Sequence, residues 1–261
     1  MHSTMVEFSM DYLLLAFAAL FAGLIDAVVG GGGLIQVPAL FSTLPNVAPA
    51  TLLGTSKLAG IWGTAVSAAT YARKVRMEWG TIIPATAAAF VAAFAGAYTV
   101  TKIPPDFLRQ LLPLILIAVA IYTFMKKDFG AVHAPIHRGG RERLFALLAG
   151  AGIGFYDGFF GPGTGSFLVF IFVRFFGFNF LGASATAKVV NVACNTAALM
   201  WFGYSGNLLW QLGLVMAACN IVGSLIGTRV AIRYGSGFVR RVFLWVVSAL
   251  IMKTLYDGFL K

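Results

Sequence analysis

Four ionisable residues lie inside long apolar stretches, where charged side chains are uncommon: Asp26, Lys57, Asp157 and Lys188. A charge in such surroundings costs at least about 2.5 kcal/mol on membrane-insertion scales, so each of these side chains is expected to face a cavity or a partner. In one interpretation the residues form structural Asp–Lys ion pairs. In the other, the lysines attract an anion and Asp26 or Asp157 carries a proton. The sequence does not show which aspartate meets which lysine.

A glycine-rich stretch follows each aspartate, at Gly30 to Gly33 and at Gly161 to Gly165. The apolar segments 34–43 and 164–176 begin at these stretches, so free backbone N–H groups and the positive ends of helix dipoles are expected there. Such groups attract anions. The candidate substrate-binding residues of the two stretches are Gly31, Gly32, Gly33, Gly163, Thr164 and Gly165. The second stretch lacks the Lys-Ser/Thr ending and the preceding strand of a Walker motif.

The segment that contains Lys188 is unusually polar. Asn191 and Asn195 follow Lys188 at steps of three and four residues, so a helix places the three side chains on one face. Two amide groups beside an ammonium group can donate hydrogen bonds to the oxygens of an anion. We therefore predict an anion site formed by Lys57, Lys188, Asn191 and Asn195. Nearby Ser and Thr residues serve equally well as packing contacts between helices.

Other chemistry has little support in the sequence. The three histidines, His2, His133 and His137, have no paired cysteine or carboxylate at a metal-binding spacing. The two cysteines, Cys194 and Cys219, both lie in apolar stretches and are interpreted as small buried hydrophobes. No catalytic residue, metal site or cofactor is predicted, and the protein is not expected to be an enzyme.

The elements that carry these residues are apolar segments of helical length. The chain has 261 residues, of which 59% are hydrophobic and 11% charged, whereas a soluble domain has about 25% charged residues. Most segments reach the ~20 residues that cross ~30 Å of hydrocarbon. They lie at 11–29, 49–71, 79–101, 106–125, 144–160, 182–203, 208–231 and 237–256. A soluble helical protein would need polar faces at helical period, which these segments lack. We predict an all-α integral membrane protein.

The net charge of +10 comes mainly from the short connections between segments. This distribution sets membrane orientation and does not form a nucleic-acid-binding face. The first ten residues contain no Lys or Arg, unlike a secretory signal, so the first segment is expected to remain in the protein. The expected partners are the lipid bilayer and a small anion, without nucleic acid. Gly96 and Gly227 would also allow close approach of two protomers in a homodimer.

The chain repeats itself in one ungapped register, in which Asp157 follows Asp26 by 131 residues. The same shift pairs Lys57 with Lys188. Further matched pairs are Gly30 with Gly161, Trp79 with Trp210, and Arg109 with Arg240. Matched Asp, Lys, Trp and Arg residues in one register indicate a duplication.

Charges in the connecting links predict that the two halves are antiparallel. The link 72–78 has three basic residues, whereas its repeat equivalent near 203–209 has no charge. Links rich in Lys and Arg stay in the cytoplasm. Placing 72–78, 126–143 and 229–241 there accounts for most of the basic residues and puts both termini outside.

Antiparallel halves need an odd number of full crossings each, which predicts a hairpin followed by three spans in each half. The hairpin tips are then the two glycine-rich turns. Non-helical backbone at membrane depth is tolerated only beside protein or a water-filled cavity, and in inverted-repeat transporters such breaks mark the substrate site. The alternative is that both turns are surface loops among eight ordinary spans. The predicted units are a first inverted repeat at 1–125, a cytoplasmic link at 126–143 and a second inverted repeat at 144–261.

Two stretches resemble the signatures of a transporter family. They are GLIDAVVGGGGLIQVPAL at 23–40 and GFYDGFFGPGTGSF at 154–167, and they are similar to the two signature stretches of the TauE/SafE sulfite-exporter family. The second is close to the YfcA-like branch, and the similarity covers nearly the whole chain. The resemblance implies a multi-pass transporter of the bacterial inner membrane. It also implies small anions as substrates, including sulfite, sulfonates and related organosulfur compounds.

The combined interpretation is an inverted-repeat transporter whose site lies between the two glycine-rich turns. Lys57 and Lys188 attract the anion, and Asn191 and Asn195 donate hydrogen bonds to it. Export of a monoanion needs no ATP, because an inside-negative potential favours it by about 2.3 kcal/mol per 100 mV. The alternative from another functional class is a passive anion channel or a membrane sensor without a transport cycle.

Overall fold

A computed structural model describes residues 2–111 and 140–259, and within these ranges the regular elements are all helices. They are α1 (His2–Val29), α2 (Gly33–Thr43), α3 (Pro49–Lys74), α4 (Trp79–Val100), α5 (Gly140–Phe159), α6 (Thr164–Arg174), α7 (Phe180–Tyr204) and α8 (Trp210–Phe259). A further helical stretch runs from residue 105 to residue 111. The predicted all-α class is confirmed for this part of the chain. Most of the predicted span 106–125 and of the link 126–143 lies outside the described residues.

The helices coincide with the predicted apolar segments to within a few residues, except in α1, which begins nine residues earlier than the segment 11–29, and in α8. This last helix joins two predicted segments across a bend at Gly235, whose φ is 70°. Among the residues that the structure describes, three stretches are long and apolar enough to cross a membrane: Met10–Val29, Trp79–Val100 and Trp210–Gly235. Helices α3 and α7 have 26 and 25 residues but more polar interiors.

The short helices α2 and α6 each follow one of the glycine-rich turns. Each has 11 residues, or about 16 Å at 1.5 Å per residue, which is half of a bilayer core. Each folds back to contact the longer helix that precedes it, α1 or α5. The repeat equivalents Gly30 and Gly161 have φ angles of 78° and 95°, a backbone conformation that glycine adopts at little cost.

Close helix packing joins the two halves of the chain. Helix α5 runs in the same direction as α4, because Gly150 meets Ala85 and Gly158 meets Ala93. A Cβ atom on Gly158 would clash with the Ala93 carbonyl group. Helices α1 and α8 are the repeat equivalents of α5 and α4, and they pack against each other in the same way. Small residues at these contacts let the backbones approach closely.

Helices α3 and α7 are repeat equivalents that cross at the centre of the protein and run antiparallel. At one end, Gly54 of α3 lies against Phe202 of α7. At the other end, the Tyr71 hydroxyl donates to the carbonyl oxygen of Ala27, and the Ser184 hydroxyl donates to the neighbouring carbonyl oxygen of Val28. These two helices carry both lysines into the core.

Candidate functional site

Two buried ion pairs connect the halves of the chain at its centre. The Lys57 ammonium group donates to Asp157 Oδ2 over 2.5 Å, and the Lys188 ammonium group donates to Asp26 Oδ2 over 2.8 Å. Each lysine therefore pairs with the aspartate of the other half. The two pairs are equivalent, because Lys57 corresponds to Lys188 and Asp157 corresponds to Asp26 in the repeat register. Lys57 is 7% exposed, and Asp157 and Lys188 are each 1% exposed. The structure thus decides the partner choice that the sequence left open.

The two glycine-rich turns meet beside these ion pairs. The backbone N–H and the hydroxyl group of Ser166 donate to the carbonyl oxygens of Gly30 and Val29, each over 3.1 Å. Gly30 and Gly165 are so close that a Cβ atom on Gly165 would lie on the Gly30 backbone. The prediction that both turns lie at one site is consistent with this contact.

A cavity of about 60 Å³, here called the central cavity, lies between the turns and α3. One buried water needs up to ~15 Å³ of such a cavity, so there is room for about four waters or one small polyatomic ion. The residues that line it are Asp26, Gly30, Gly32, Gly33, Gln36, Val37, Leu53, Ser56, Lys57, Gly60, Thr64, Asp157, Phe160, Gly161, Pro162, Gly165, Asn191, Asn195 and Asn220.

Most of the predicted site residues line the central cavity. They are Lys57, Asn191, Asn195, Gly32, Gly33, Gly165, Asp26 and Asp157. Four others do not line it. Lys188 and Thr164 are each 1% exposed, with Lys188 bonded to Asp26 and the Thr164 hydroxyl donating to the Gly161 carbonyl oxygen. Gly31 and Gly163 are buried within the turns.

The glycines of the turns have different roles. Gly161 lies against the Lys57 ammonium group, where a Cβ atom would be 2.9 Å from Nζ. Gly163 has a φ of 85°, as expected for a turn that only glycine adopts easily. Gly32 has a helical φ of −57°, and its small size is required because a Cβ atom would lie 2.7 Å from the Ala22 carbonyl oxygen.

Amide and hydroxyl groups surround Lys57 in the cavity wall. Asn195 donates from Nδ2 to Asn191 Oδ1 over 2.8 Å, which leaves the amide hydrogens of Asn191 available to a ligand. The Thr64 hydroxyl donates to Asp26 Oδ2 over 3.1 Å. Within residues 2–111 and 140–259, no three His, Cys, Asp or Glu side chains lie close enough to bind a metal ion. The cavity wall thus combines one ammonium group with several amide and hydroxyl groups that can donate hydrogen bonds.

Two polar residues of the cavity, Gln36 and Asn220, were missed by the sequence analysis. Ser56 and Thr64 also line it and belong to the Ser and Thr residues near the lysines that the sequence interpreted equally as packing contacts. The repeat register pairs Gln36 with Phe167 and Asn220 with Ala89, so an argument from matched positions passes over them. Gln36 and Asn220 could nevertheless have been identified from the sequence, because each is an amide side chain inside an apolar stretch.

The two halves differ in conformation at the links that follow α3 and α7. The link after α7 closes on the start of α3, because the Thr51 hydroxyl donates to Asn207 Oδ1 over 3.2 Å and the Leu209 N–H donates to Thr55 Oγ1 over 3.0 Å. At the equivalent place in the other half, a cavity of about 230 Å³ lies between the link 75–78 and the start of α7. The two equivalent links therefore differ in how they meet the neighbouring central helix.

Comparison with known proteins identifies the family to which the chain is similar. The sequence profile of the family "Sulfite exporter TauE/SafE" matches residues 15–254. No solved structure is significantly similar to the chain.

Curated relatives match the chain over nearly their whole lengths. "Probable membrane transporter protein ORF9" of Sinorhizobium sp is 37% identical over 247 residues, which are 94% of this chain and 93% of that protein. "Probable membrane transporter protein YfcA" of Escherichia coli K12 is 34% identical over 94% of this chain and 89% of its own length. A "Probable membrane transporter protein" of Haemophilus influenzae is 32% identical over 97% and 98%. The chain therefore belongs to the TauE/SafE sulfite-exporter family of membrane transporters.

Proposed function

We propose that the protein moves a small anion, such as sulfite, a sulfonate or a related organosulfur compound, across the inner membrane of a bacterium, with export as the direction. The observation that carries this proposal is the central cavity, which is lined by Lys57 and four amide side chains where the two turns meet. The chemistry of these groups matches a small oxyanion. Family membership supports the same substrate class.

In this proposal, Lys57 is shared between Asp157 and the substrate. Asp26, Asp157, Lys57 and Lys188 carry charges that cancel, so an anion that enters alone leaves a buried negative charge uncompensated. A proton on Asp157 would release the Lys57 ammonium group to the anion and keep the site neutral. Anion movement coupled to a proton through Asp157 or Asp26 follows from this charge balance. The first turns of α2 and α6, which contain Gly33 and Gly165, add backbone donors and helix dipoles.

We also propose that the two halves are inverted repeats, each a glycine-tipped hairpin followed by three spans. The support is that α3 and α7 run antiparallel and that the ion pairs exchange partners between halves. The basic link 72–78 is then cytoplasmic, and both termini are outside. The repeats correspond to 1–125 and 144–261. Lys188 is the equivalent of Lys57 and is proposed to serve the anion in the opposite state of the cycle.

The unequal links support a transport cycle over a static channel. Alternating access in inverted-repeat transporters requires that equivalent parts of the two halves adopt different conformations in one state. The link 205–209 is hydrogen-bonded to α3, whereas a cavity lies beside the equivalent link 75–78. Such a difference between equivalent links is what alternating access requires.

Counterflow in proteoliposomes tests the proposal. Vesicles loaded with sulfite should take up labelled sulfite in a saturable manner, and Lys57→Gln should remove this activity. Lys102→Gln is the matched control, since Lys102 is exposed just after α4 and its ammonium group lies over the Tyr98 ring. Non-saturable flux would indicate a channel. Absence of flux for sulfite, taurine and methanesulfonate would indicate a sensor and refute transport of this substrate class.

A further inference from the structure

We propose that Ser56 donates a hydrogen bond to the anion and that Gln36 and Asn220 are positioning residues that aim its hydroxyl group into the central cavity. This proposal rests on the proposed function and adds a specificity element to it. All three residues line the cavity. Gln36 and Asn220 are 2% and 3% exposed, whereas Ser56 is half-buried.

A chain of hydrogen bonds, here called the amide relay, connects the three side chains. Asn220 donates from Nδ2 to Gln36 Oε1 over 3.4 Å and to the Ala19 carbonyl oxygen over 3.1 Å. Gln36 donates from Nε2 to Ser56 Oγ over 3.2 Å and to the Ser56 carbonyl oxygen over 2.9 Å. Both amide hydrogens of each residue are therefore used. Because Ser56 Oγ accepts from Gln36, its own O–H is the remaining donor of the relay.

The amide relay joins Gln36 and Ser56 of the first half to Asn220 of the second half, and it has no polar counterpart. Its repeat equivalents are Phe167, Ala187 and Ala89, and both alanines are fully buried. Apolar side chains thus occupy all three equivalent positions. Replacing a buried hydrogen-bonded pair by apolar groups of the same shape can be nearly neutral or even stabilising. Since packing does not require the relay, we infer that it serves the ligand.

The position of the relay has a consequence for selectivity. Lys57 attracts any small anion, because an ammonium group acts as a point charge. Ser56 precedes Lys57 in α3 and offers a directional donor that rewards an oxygen atom of the ligand. An oxyanion with several oxygens, such as sulfite or a sulfonate, can meet both groups at once. A halide presents one spherical acceptor and gains less from a donor that is held in a fixed direction, so the relay favours oxyanions over halides.

Binding of sulfite and of chloride to the purified protein separates this role from a structural one. Ser56→Ala and Gln36→Met should each lower sulfite affinity about tenfold, since a hydrogen bond to an ion is lost, and should lower chloride affinity by clearly less. Ser56→Thr should keep sulfite affinity. The control is Ser42→Ala, because Ser42 lies exposed on α2 and its hydroxyl donates to the Ala39 carbonyl oxygen. Equal losses for both anions, or no loss for sulfite, would overturn the proposal.

A thiol at position 56 tests the relay without any substrate. In a Cys219→Ser background, Ser56→Cys should react with a sulfonate-bearing methanethiosulfonate reagent. The Gln36 amide donates to the side-chain atom at position 56 and should stabilise a thiolate there. Adding Gln36→Met removes this hydrogen bond, so a smaller fraction of the thiol is ionised. Because the less stabilised thiolate is a stronger nucleophile and offsets part of this loss, the reaction should slow only about threefold. The repeat-equivalent control Phe167→Met should leave the rate unchanged. An unaltered rate with Gln36→Met would refute the relay, whereas failure of wild-type protein to bind sulfite would refute the proposed function.

Discussion

Neutralising the Lys57–Asp157 pair distinguishes a lysine that binds substrate from one that only balances a buried carboxylate. Lys57→Gln alone leaves Asp157, which is 1% exposed, without the partner that lies 2.5 Å away. Breaking a buried ion pair in this way costs about 3–5 kcal/mol, so the Tm in detergent should fall on the order of 10 °C. Adding Asp157→Asn removes the uncompensated charge and should restore most of the stability.

The affinity for the anion should not return with the stability. An ammonium group 4 Å from an anion contributes about 4 kcal/mol at an effective dielectric constant of ~20, before desolvation is subtracted. A net contribution of about 1.5–3 kcal/mol is typical of a hydrogen bond to a charged group. The double variant Lys57→Gln with Asp157→Asn should therefore bind sulfite about 10- to 100-fold more weakly than wild type, as measured by calorimetry.

The repeat-equivalent pair provides the matched control. Lys188 is 1% exposed and does not line the central cavity. Lys188→Gln should also lower the Tm, and Asp26→Asn should also restore it, but sulfite affinity should fall less than in the double variant that lacks Lys57, because Lys188 is proposed to meet the anion only in the opposite state. Recovery of affinity in the variant that lacks Lys57 and Asp157 would refute the site assignment. So would equal affinity losses in the two double variants.

Two further predictions concern topology and packing. Ser205→Cys should react with an impermeant thiol reagent from outside intact cells and Arg76→Cys should not, because basic links stay in the cytoplasm. Both positions are exposed at the protein surface. Equal labelling of the two variants would therefore contradict inverted repeats. Gly158→Ala should lower the Tm by several degrees because its Cβ atom would clash with the Ala93 carbonyl group, whereas Gly152→Ala, with open space at the same helix, should be neutral or slightly stabilising. Equal Tm values would contradict the tight contact.

The sequence predicted most of the charged and amide residues that line the central cavity, but not which of them pair with each other. Asp26, Asp157 and Lys57 were identified as charges in apolar segments, and the structure brings them together at the central cavity. Their partners could not be predicted, since a duplicated chain is equally compatible with pairs within a half and between halves. Gln36 and Asn220 were missed because they match no polar residue in the repeat and do not lie at helical spacing from either lysine, and the relay is the part of the site that the repeat does not share.

The sequence by itself determined the helical class, most of the helix bounds, the repeat register and the family, because hydrophobic length, turn residues and motif spacing act locally along the chain. Tertiary structure decided which lysine faces the cavity. Lys57 and Lys188 occupy equivalent positions in equivalent helices, yet Lys57 lines the central cavity and Lys188 is enclosed behind Asp26. That difference depends on how closely the helices and the two turns approach, which is set by contacts between small residues far apart in the sequence, such as Gly30 with Gly165.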